Sequence, residues 1–280
     1  MNNFELFKLK KAGLTNRQLL NLIDYKKKHN EKLSIKKIAV ISGVKIASQF
    51  IQAYKAINHQ ELKKSFYQFP TLSILDDHYP EALKNINNPP VLLFYQGNIE
   101  LLSYSKIAVV GARMASQNGI RTVSKIISEL GNRFVIVSGL AKGIDTAAHL
   151  SILKNGGKTI AVIGTGLDVY YPKENKLLQE YLTKNHLIIS EYEPKTQPLR
   201  YHFPERNRII AGLSQGVIVF EAKLRSGSLI TCERAMEEGR DIFAVPGNVM
   251  DGKSEGCHRL IKEGAKCITT GLDVILEYQN

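Results

Sequence analysis

The chain is poor in cysteine. Three occur in 280 residues, Cys232, Cys257 and Cys267, with no Cys-x-x-Cys pair among them. An odd, scattered set excludes a disulfide framework and the usual zinc spacings. It fits small core residues of a reduced protein. No run of 18 apolar residues occurs, so no segment reads as a membrane-crossing helix. The opening "MNNFELFKLKKAGL" lacks the apolar core of a signal peptide. These absences predict a cytoplasmic protein that holds no metal.

Nucleotide signatures are missing too. The Walker pattern G-x-x-x-x-G-K-[ST] does not occur. From Gly111, the last residue of "KIAVVG", the chain reads "GARMASQNG", with Arg113 where the G-x-G-x-x-G fingerprint needs a small residue. An arginine there obstructs a pyrophosphate seated on the backbone, although its side chain could clamp a phosphate. Neither NAD nor ATP is expected, and no cofactor is. His149 and His202 lie near motif loops without a nucleophile and an orienting acid at recognisable spacing. Asp145 and Glu221 could pair as carboxylates, but Glu221 reads more simply as a cap or as the partner of an arginine.

What the chain does have is positive charge, formally +12. Residues 1–66 hold 14 Lys+Arg against 4 Asp+Glu, leaving 24 against 22 in residues 67–280. A basic excess points to an acidic partner, nucleic acid before a membrane surface. Any basic site in the larger part must come from local clustering.

Residues 1–66 read as short helices. "NFELFKLKKAGLTNRQLLNLIDYKKKHN" has apolar residues near helical spacing, with Thr15 as an N-cap. "SIKKIAVISGVKIASQFIQAYKAI" reads as two helices joined at Ser42-Gly43. The pair resembles helix-hairpin-helix and SAM-like modules, which often contact nucleic acid. A solvated lysine face is the plainer alternative. A proline-broken connector follows, in which "PVLLFYQG" reads as a buried strand. From Lys106 onward, strand-length apolar runs alternate with helical segments: "KIAVVG", "FVIVSG", "TIAVIG", "HLIISEY", "GVIVFEA", "DIFAVPG" and "AKCITTG". Continuous rather than alternating apolar strands require a sheet covered on both faces. The expectation is an α/β chain. Its larger part, residues 67–280, is an extended Rossmann-like, doubly wound, mainly parallel sheet, and its smaller part, residues 1–66, is an all-α SAM-like domain.

In such sheets ligands bind beyond the carboxyl ends of the strands, and the unusual residues fall there. The first strand of the regular part ends in Gly111-Ala112-Arg113. The second ends in "SGLAKGID", with Ser138, Gly139, Lys142 and Gly143. The third ends in Gly164-Thr165-Gly166, followed by "YYPKEN" with Lys173. The fifth ends in Glu221-Ala222, followed by "KLRSGS" with Lys223, Arg225, Ser226, Gly227 and Ser228. Helices are expected to start near Ile144 and Ser228, and helix N-termini suit phosphate. In "FPERNRIIAGLSQGVIVFEA", Arg206 and Arg208 flank Asn207 at an expected helix start, where cations oppose the macrodipole. A bound anion would remove that conflict. Pairing of either arginine with Glu191, Glu193 or Glu205 is the alternative. Ser138 and Asp145 could be caps, and Gly164 with Gly166 an ordinary turn. Tyr170, Tyr171, Tyr201 and Phe203 flank the basic loops, either as platforms for bases or as core. Several anion positions along one edge suggest a polyanion.

Together these strings resemble the DprA/Smf family, the DNA-processing protein A of natural transformation. The matching stretches are "VVGAR", "IVSGLAKGIDTAAH", "IAVIGTGLDVYYPKEN", "SEYEP", "HFPERNRIIAGLS", "VIVFEAKLRSGSLITCERAMEEGRDIFAVPG" and "GCHRLIKEGA", in family order from about residue 69 to 270. The resemblance implies binding of single-stranded DNA without strong sequence preference and protection of incoming strands. It also implies loading of RecA recombinase, relief of inhibition by single-strand-binding protein, a homodimer through the Rossmann-like domain, and no catalysis or membrane partner. It maps the DNA pocket onto Arg113, Ser138, Gly139, Lys142, Lys173, Arg206, Asn207, Arg208 and Ser226 to Ser228. Met236 and Ile261, apolar on late helices, are dimer candidates or plain core. Many members carry a C-terminal winged-helix domain, which has no counterpart among these residues. The fold also resembles nucleoside-monophosphate hydrolases with a "PGGxGTxxE" loop. Here the loop reads "RSGSLITCERA", with Arg234 where the catalytic glutamate belongs. That hydrolase, and a RecA-binding scaffold that does not touch DNA, are the alternative functions.

Overall fold

Five short helices open the chain: α1 (Asn3–Lys11), α2 (Asn16–Lys28), α3 (Ile35–Ile41), α4 (Ala47–Ala56) and α5 (His59–Phe66). The structure, a computed structural model, describes residues 1–279. Local sequence sets the helix limits. Asn2 with Glu5 and Thr15 with Gln18 form capping boxes at α1 and α2, each satisfying amides that the first turn leaves free. Lysines fill the last turns of both helices, where cations favour the macrodipole.

The connector supplies β1 (Thr71–Ser73), α6 (Glu81–Lys84) and β2 (Leu92–Gly97). The regular part then runs β3 (Lys106–Gly111), α7 (Gln117–Leu130), β4 (Val135–Ser138), α8 (Ile144–Lys154), β5 (Thr159–Ile163), α9 (Lys176–Asn185) and β6 (Leu187–Ser190). It continues with α10 (His202–Leu213), β7 (Gly216–Phe220), α11 (Gly227–Glu237), β8 (Asp241–Ala244), α12 (Glu255–Lys262), β9 (Lys266–Cys267) and α13 (Gly271–Glu277). One nine-stranded sheet has the order β1-β2-β6-β5-β4-β3-β7-β8-β9. It is parallel from β6 to β9, and β2 runs antiparallel to both β1 and β6. The expected Rossmann-like sheet is therefore present, with an antiparallel margin built from the proline-rich connector.

Successive strand residues serve opposite cores, which is why the strands read as unbroken apolar runs. Ile107 and Val109 join α7, α8 and α13 through Val123, Ile126, Ala148, Ile152 and Val274. Ala108 and Val110 join α10, α11 and α12 through Ile209, Ile210, Leu229, Cys232 and Leu260. The helical domain shares this second core through Leu6, Leu9, Leu19 and Leu22. Its α1 and α5 also press Phe7 and Phe66 onto Phe94 and the β5–β6 region. None of the helices among the described residues is long and apolar enough to cross a membrane.

Candidate nucleic-acid interface

Chain direction across the sheet reverses at β3. Strands β4, β5 and β6 are added on one side of it and β7, β8 and β9 on the other. The loops that leave β3 and its two neighbours therefore part company at this point and open a crevice. The β3 loop carries Arg113 into α7, capped by Ser116. Glu221, at the end of β7, accepts the Ser116 amide at 2.7 Å and its hydroxyl as well. Glu221 thus acts as a cap, one of the two readings that its sequence position left open.

The β4 loop is held from inside. Asp145, buried in the first turn of α8, accepts the amides of Gly139 and Ala141 at 3.1 and 3.3 Å. Burial raises its pKa, while Arg206 and those amides act against the rise. Gly143 precedes α8 with φ +75, and a Cβ there would overlap the carbonyl of Ala112. Only glycine serves both needs. Ser138 points inward: it is fully buried and donates to the Val109 carbonyl at 2.7 Å.

Helix α10 crosses the sheet between β6 and β7 and closes the crevice. It begins at His202, so Arg206 is its fifth residue and Arg208 its seventh. This corrects the expected helix start. The four amides without intrahelical partners lie before Arg206, and the dipole's effect fades beyond the first turn. Residues two apart also point about 200° apart around a helix, which separates the two arginines. Arg206, 4% exposed, enters the crevice, donates Nη1 to the Val162 carbonyl and lies against Gly139. Its Nε has no partner among the described residues. Burial lowers its pKa to about 10 although Asp145 pulls it up. Arg208 turns toward the helical domain, and its Nη2 meets Glu191 Oε2, just past β6, at 2.7 Å. Of the three acids considered for pairing, Glu191 takes it. Glu205 instead accepts a hydrogen bond from the Tyr192 hydroxyl at 3.0 Å.

The crevice has a volume of about 550 Å³. Arg113, Arg200, Arg206 and Asn207 line it, with Tyr171, Phe203 and residues 226–228. Asn207 Nδ2 donates to the Gly227 carbonyl at 3.2 Å, tying α10 to the start of α11. An adjoining recess of about 80 Å³ adds Gly139, Lys142, Gly164 and Thr165. Phe203 forms one aromatic wall, with the Tyr171 ring 5.2 Å away and the Arg113 guanidinium 5.3 Å from its centroid. Three arginines, aromatic faces and short hydroxyl side chains can hold phosphates and stack bases. A larger crevice, about 720 Å³, lies on the other side of α10. There Lys10 and Arg208 share Glu191, and Arg234 pairs with Glu237, so it offers a polyanion much less net charge.

The remaining sequence candidates are placed as follows. Lys142 reaches the rim, with Nζ 2.5 Å from Glu174 Oε1. Lys173 is exposed beside the recess, directly after Pro172. Gly166 packs against the turn at residues 193–195 rather than opening to the crevice. Tyr170 and Tyr201 are partly exposed outside it. Lys223 and Arg225 are exposed on the β7 loop. Met236 is 47% exposed on α11, and Ile261 is partly buried against the core. His149 is buried, with Nδ1 2.7 Å from Thr159 Oγ1. Sequence reasoning missed Arg200. The available signal was a basic residue just ahead of the helix that carries Arg206.

Residues 70–279 match the family described as DNA recombination-mediator protein A. Residues 1–62 match the DNA processing protein A sterile alpha motif domain. The chain is 58% identical over 279 residues to DNA processing protein DprA of Streptococcus pneumoniae, covering 100% of this chain and 99% of that one. It is 45% identical over 209 residues to the Bacillus subtilis DprA, covering 74% and 70%. The X-ray structure of the S. pneumoniae protein superposes with a TM-score of 0.97 at 59% identity, covering 99% and 98%. DNA processing protein A of Helicobacter pylori superposes with a TM-score of 0.67 at 31% identity, covering 75% and 96%. That structure addresses the single-stranded DNA binding mode of the H. pylori protein.

Proposed function

The chain belongs to the DNA recombination-mediator protein A (DprA/Smf) family, and from that premise we propose that it binds single-stranded DNA as a recombination mediator. It protects incoming strands during natural transformation and loads RecA onto them. Its binding is independent of sequence and is not coupled to turnover. The observation that carries this reading is the convergence of Arg113, Arg200 and Arg206 with Tyr171 and Phe203 in one crevice at the β3 switch point. Phosphate contacts fix a strand without reading it, and aromatic faces accept any base. The neighbouring H. pylori protein, whose structure concerns single-stranded DNA, supports the choice of ligand.

RecA, functional interplay with single-strand-binding protein, a homodimer through the Rossmann-like domain and a cytoplasmic location belong to the same proposal. So do the boundaries 1–66 and 67–280 and the residues that line the crevice and its recess. Half-exposed Met236 supports an apolar contact on α11 for the homodimer. The test is fluorescence anisotropy with labelled oligo-dT, oligo-dC and a duplex competitor. Wild type should prefer single strands. Arg113→Ala should weaken all of them alike and flatten the dependence on salt by about 0.7 per lost phosphate contact. Unchanged affinity and slope in Arg113→Ala would sink this site.

A further inference from the structure

The densest charge left unexplained lies in the helical domain. Residues 26–37 read "KKKHNEKLSIKK", six lysines with one glutamate. Here α2 ends, a loop turns the chain, and α3 begins. Lys37 is tied to Glu31 at 2.7 Å, and Lys27 lies 3.9 Å from Asp24. Lys26, Lys28, Lys32 and Lys36 have no acidic partner among the described residues. On the same corner the rings of Tyr25 and His29 stack, with centroids 4.1 Å apart and planes 14° apart. The macrodipole accounts for Lys26 to Lys28 at the end of α2. It does not account for Lys32 in the loop, and it works against Lys36 in the first turn of α3.

We propose that this corner is a second contact for the DNA strand held at the sheet edge. The lysines neutralise phosphates, and the exposed His29 ring, backed by the half-buried Tyr25, offers a platform for a base. The inference rests on the proposed function, since it extends the same strand. Helix α2 starts behind α10, on the Arg208 side rather than the pocket side. At its start Asn16 donates to Glu191 at 2.7 Å, and Glu191 holds Arg208 on α10. Its 13 residues then lead away for about 20 Å, so a strand from the pocket has to round α10 and follow this length, which only a long oligonucleotide does. Charge complementarity selects the occupant, because residues 67–280 are nearly balanced and the excess is concentrated in residues 1–66.

The experiment measures anisotropy on the full chain with an oligo-dT of about 6 nucleotides, enough for the sheet edge alone, and one of about 20. The variant is Lys28→Gln/Lys32→Gln/Lys36→Gln, with Lys28→Arg/Lys32→Arg/Lys36→Arg as the charge-preserving control and thermal melting as the check on folding. The glutamine variant should bind the long strand roughly tenfold more weakly, with a salt slope lower by about 2, and bind the short strand as wild type does. The arginine variant should behave as wild type on both. Unchanged long-strand affinity overturns the inference, as does an equal loss on both lengths, or a loss confined to duplex DNA. Failure of wild type to bind either strand is a different result, which removes the proposed function itself and this extension with it.

Discussion

The guanidinium of Arg206 lies directly against Gly139, so that a Cβ on Gly139 would overlap it. A glycine that reads as a strand-end turn is therefore half of a contact with a helix far along the chain. Gly139→Ala should push Arg206 off the Val162 carbonyl and away from Asp145. We expect a stability loss of about 1–3 kcal/mol and weaker binding of oligo-dT. Urea unfolding and anisotropy measured on the same preparation check both. Wild-type behaviour in both would show that Arg206 has room to move.

Lys142 is held at the rim by Glu174, with both side chains more than half exposed. On the proposed function, a strand arriving at the recess would compete with that carboxylate. Glu174→Gln should release the ammonium and tighten binding about two- to threefold, in keeping with the modest worth of exposed pairs. Anisotropy at low salt is the measurement, and the gain should shrink as salt is raised.

Glu191 joins the helical domain to the sheet. It accepts from Lys10 at 3.2 Å, Asn16 at 2.7 Å and Arg208 at 2.7 Å. Burial alone would raise its pKa, but Lys10, Arg208 and the Asn16 amide hold it down to about 2. A depressed carboxylate contributes stability above its unfolded pKa of about 4.3, and this is lost as pH falls toward 2. Glu191→Gln should destabilise the protein by about 1–3 kcal/mol at neutral pH, because Arg208, 13% exposed, and the partly exposed Lys10 lose their counter-charge. It should also remove part of the acid sensitivity below pH 4. Denaturant midpoints at pH 7 and pH 3 test both statements.

Two histidines set an earlier acid limb. Burial, followed by the charges of His186 and Arg206, lowers His149 to about 3. Burial, followed by Lys158, lowers His186 to about 4. Their unfolded value is about 6.5, so the unfolded chain takes up protons first and stability falls as pH drops from about 6.5 toward 3. The urea midpoint should therefore decline between pH 7 and pH 5, before most carboxylates titrate. In His149→Gln this part of the profile should be flatter. A midpoint that stays constant from pH 7 to pH 5 in wild type would contradict the assignment.

The sheet was legible because each strand is buried on both sides, which writes an unbroken apolar run into the chain. The loops of the site were legible because glycines and cations gather where those runs end. The start of α10 was not. Its N-cap, Tyr201, makes no side-chain bond, and Pro204 sits third in the helix rather than at its first position. Taking Pro204 as the start turns Arg206 into a first-turn residue and puts Arg208 on the same footing. Separating them requires the Glu191 and Gly139 contacts, which come from distant segments. The antiparallel margin escaped for a related reason. The prolines of the connector mark breaks, but pairing of β2 with β6 is a property of the assembled sheet.

Helix α10 also imposes a schedule on biosynthesis. The chain leaves the ribosome from its N-terminus, so the loops of Arg113 and Gly139 emerge while the guanidinium that braces them has yet to be translated. The far wall, at residues 226–228, follows later still. A nascent copy that has completed β6 has most of its sheet and no pocket. The crevice is therefore closed only by segments made late in synthesis, after the glycines that shape it.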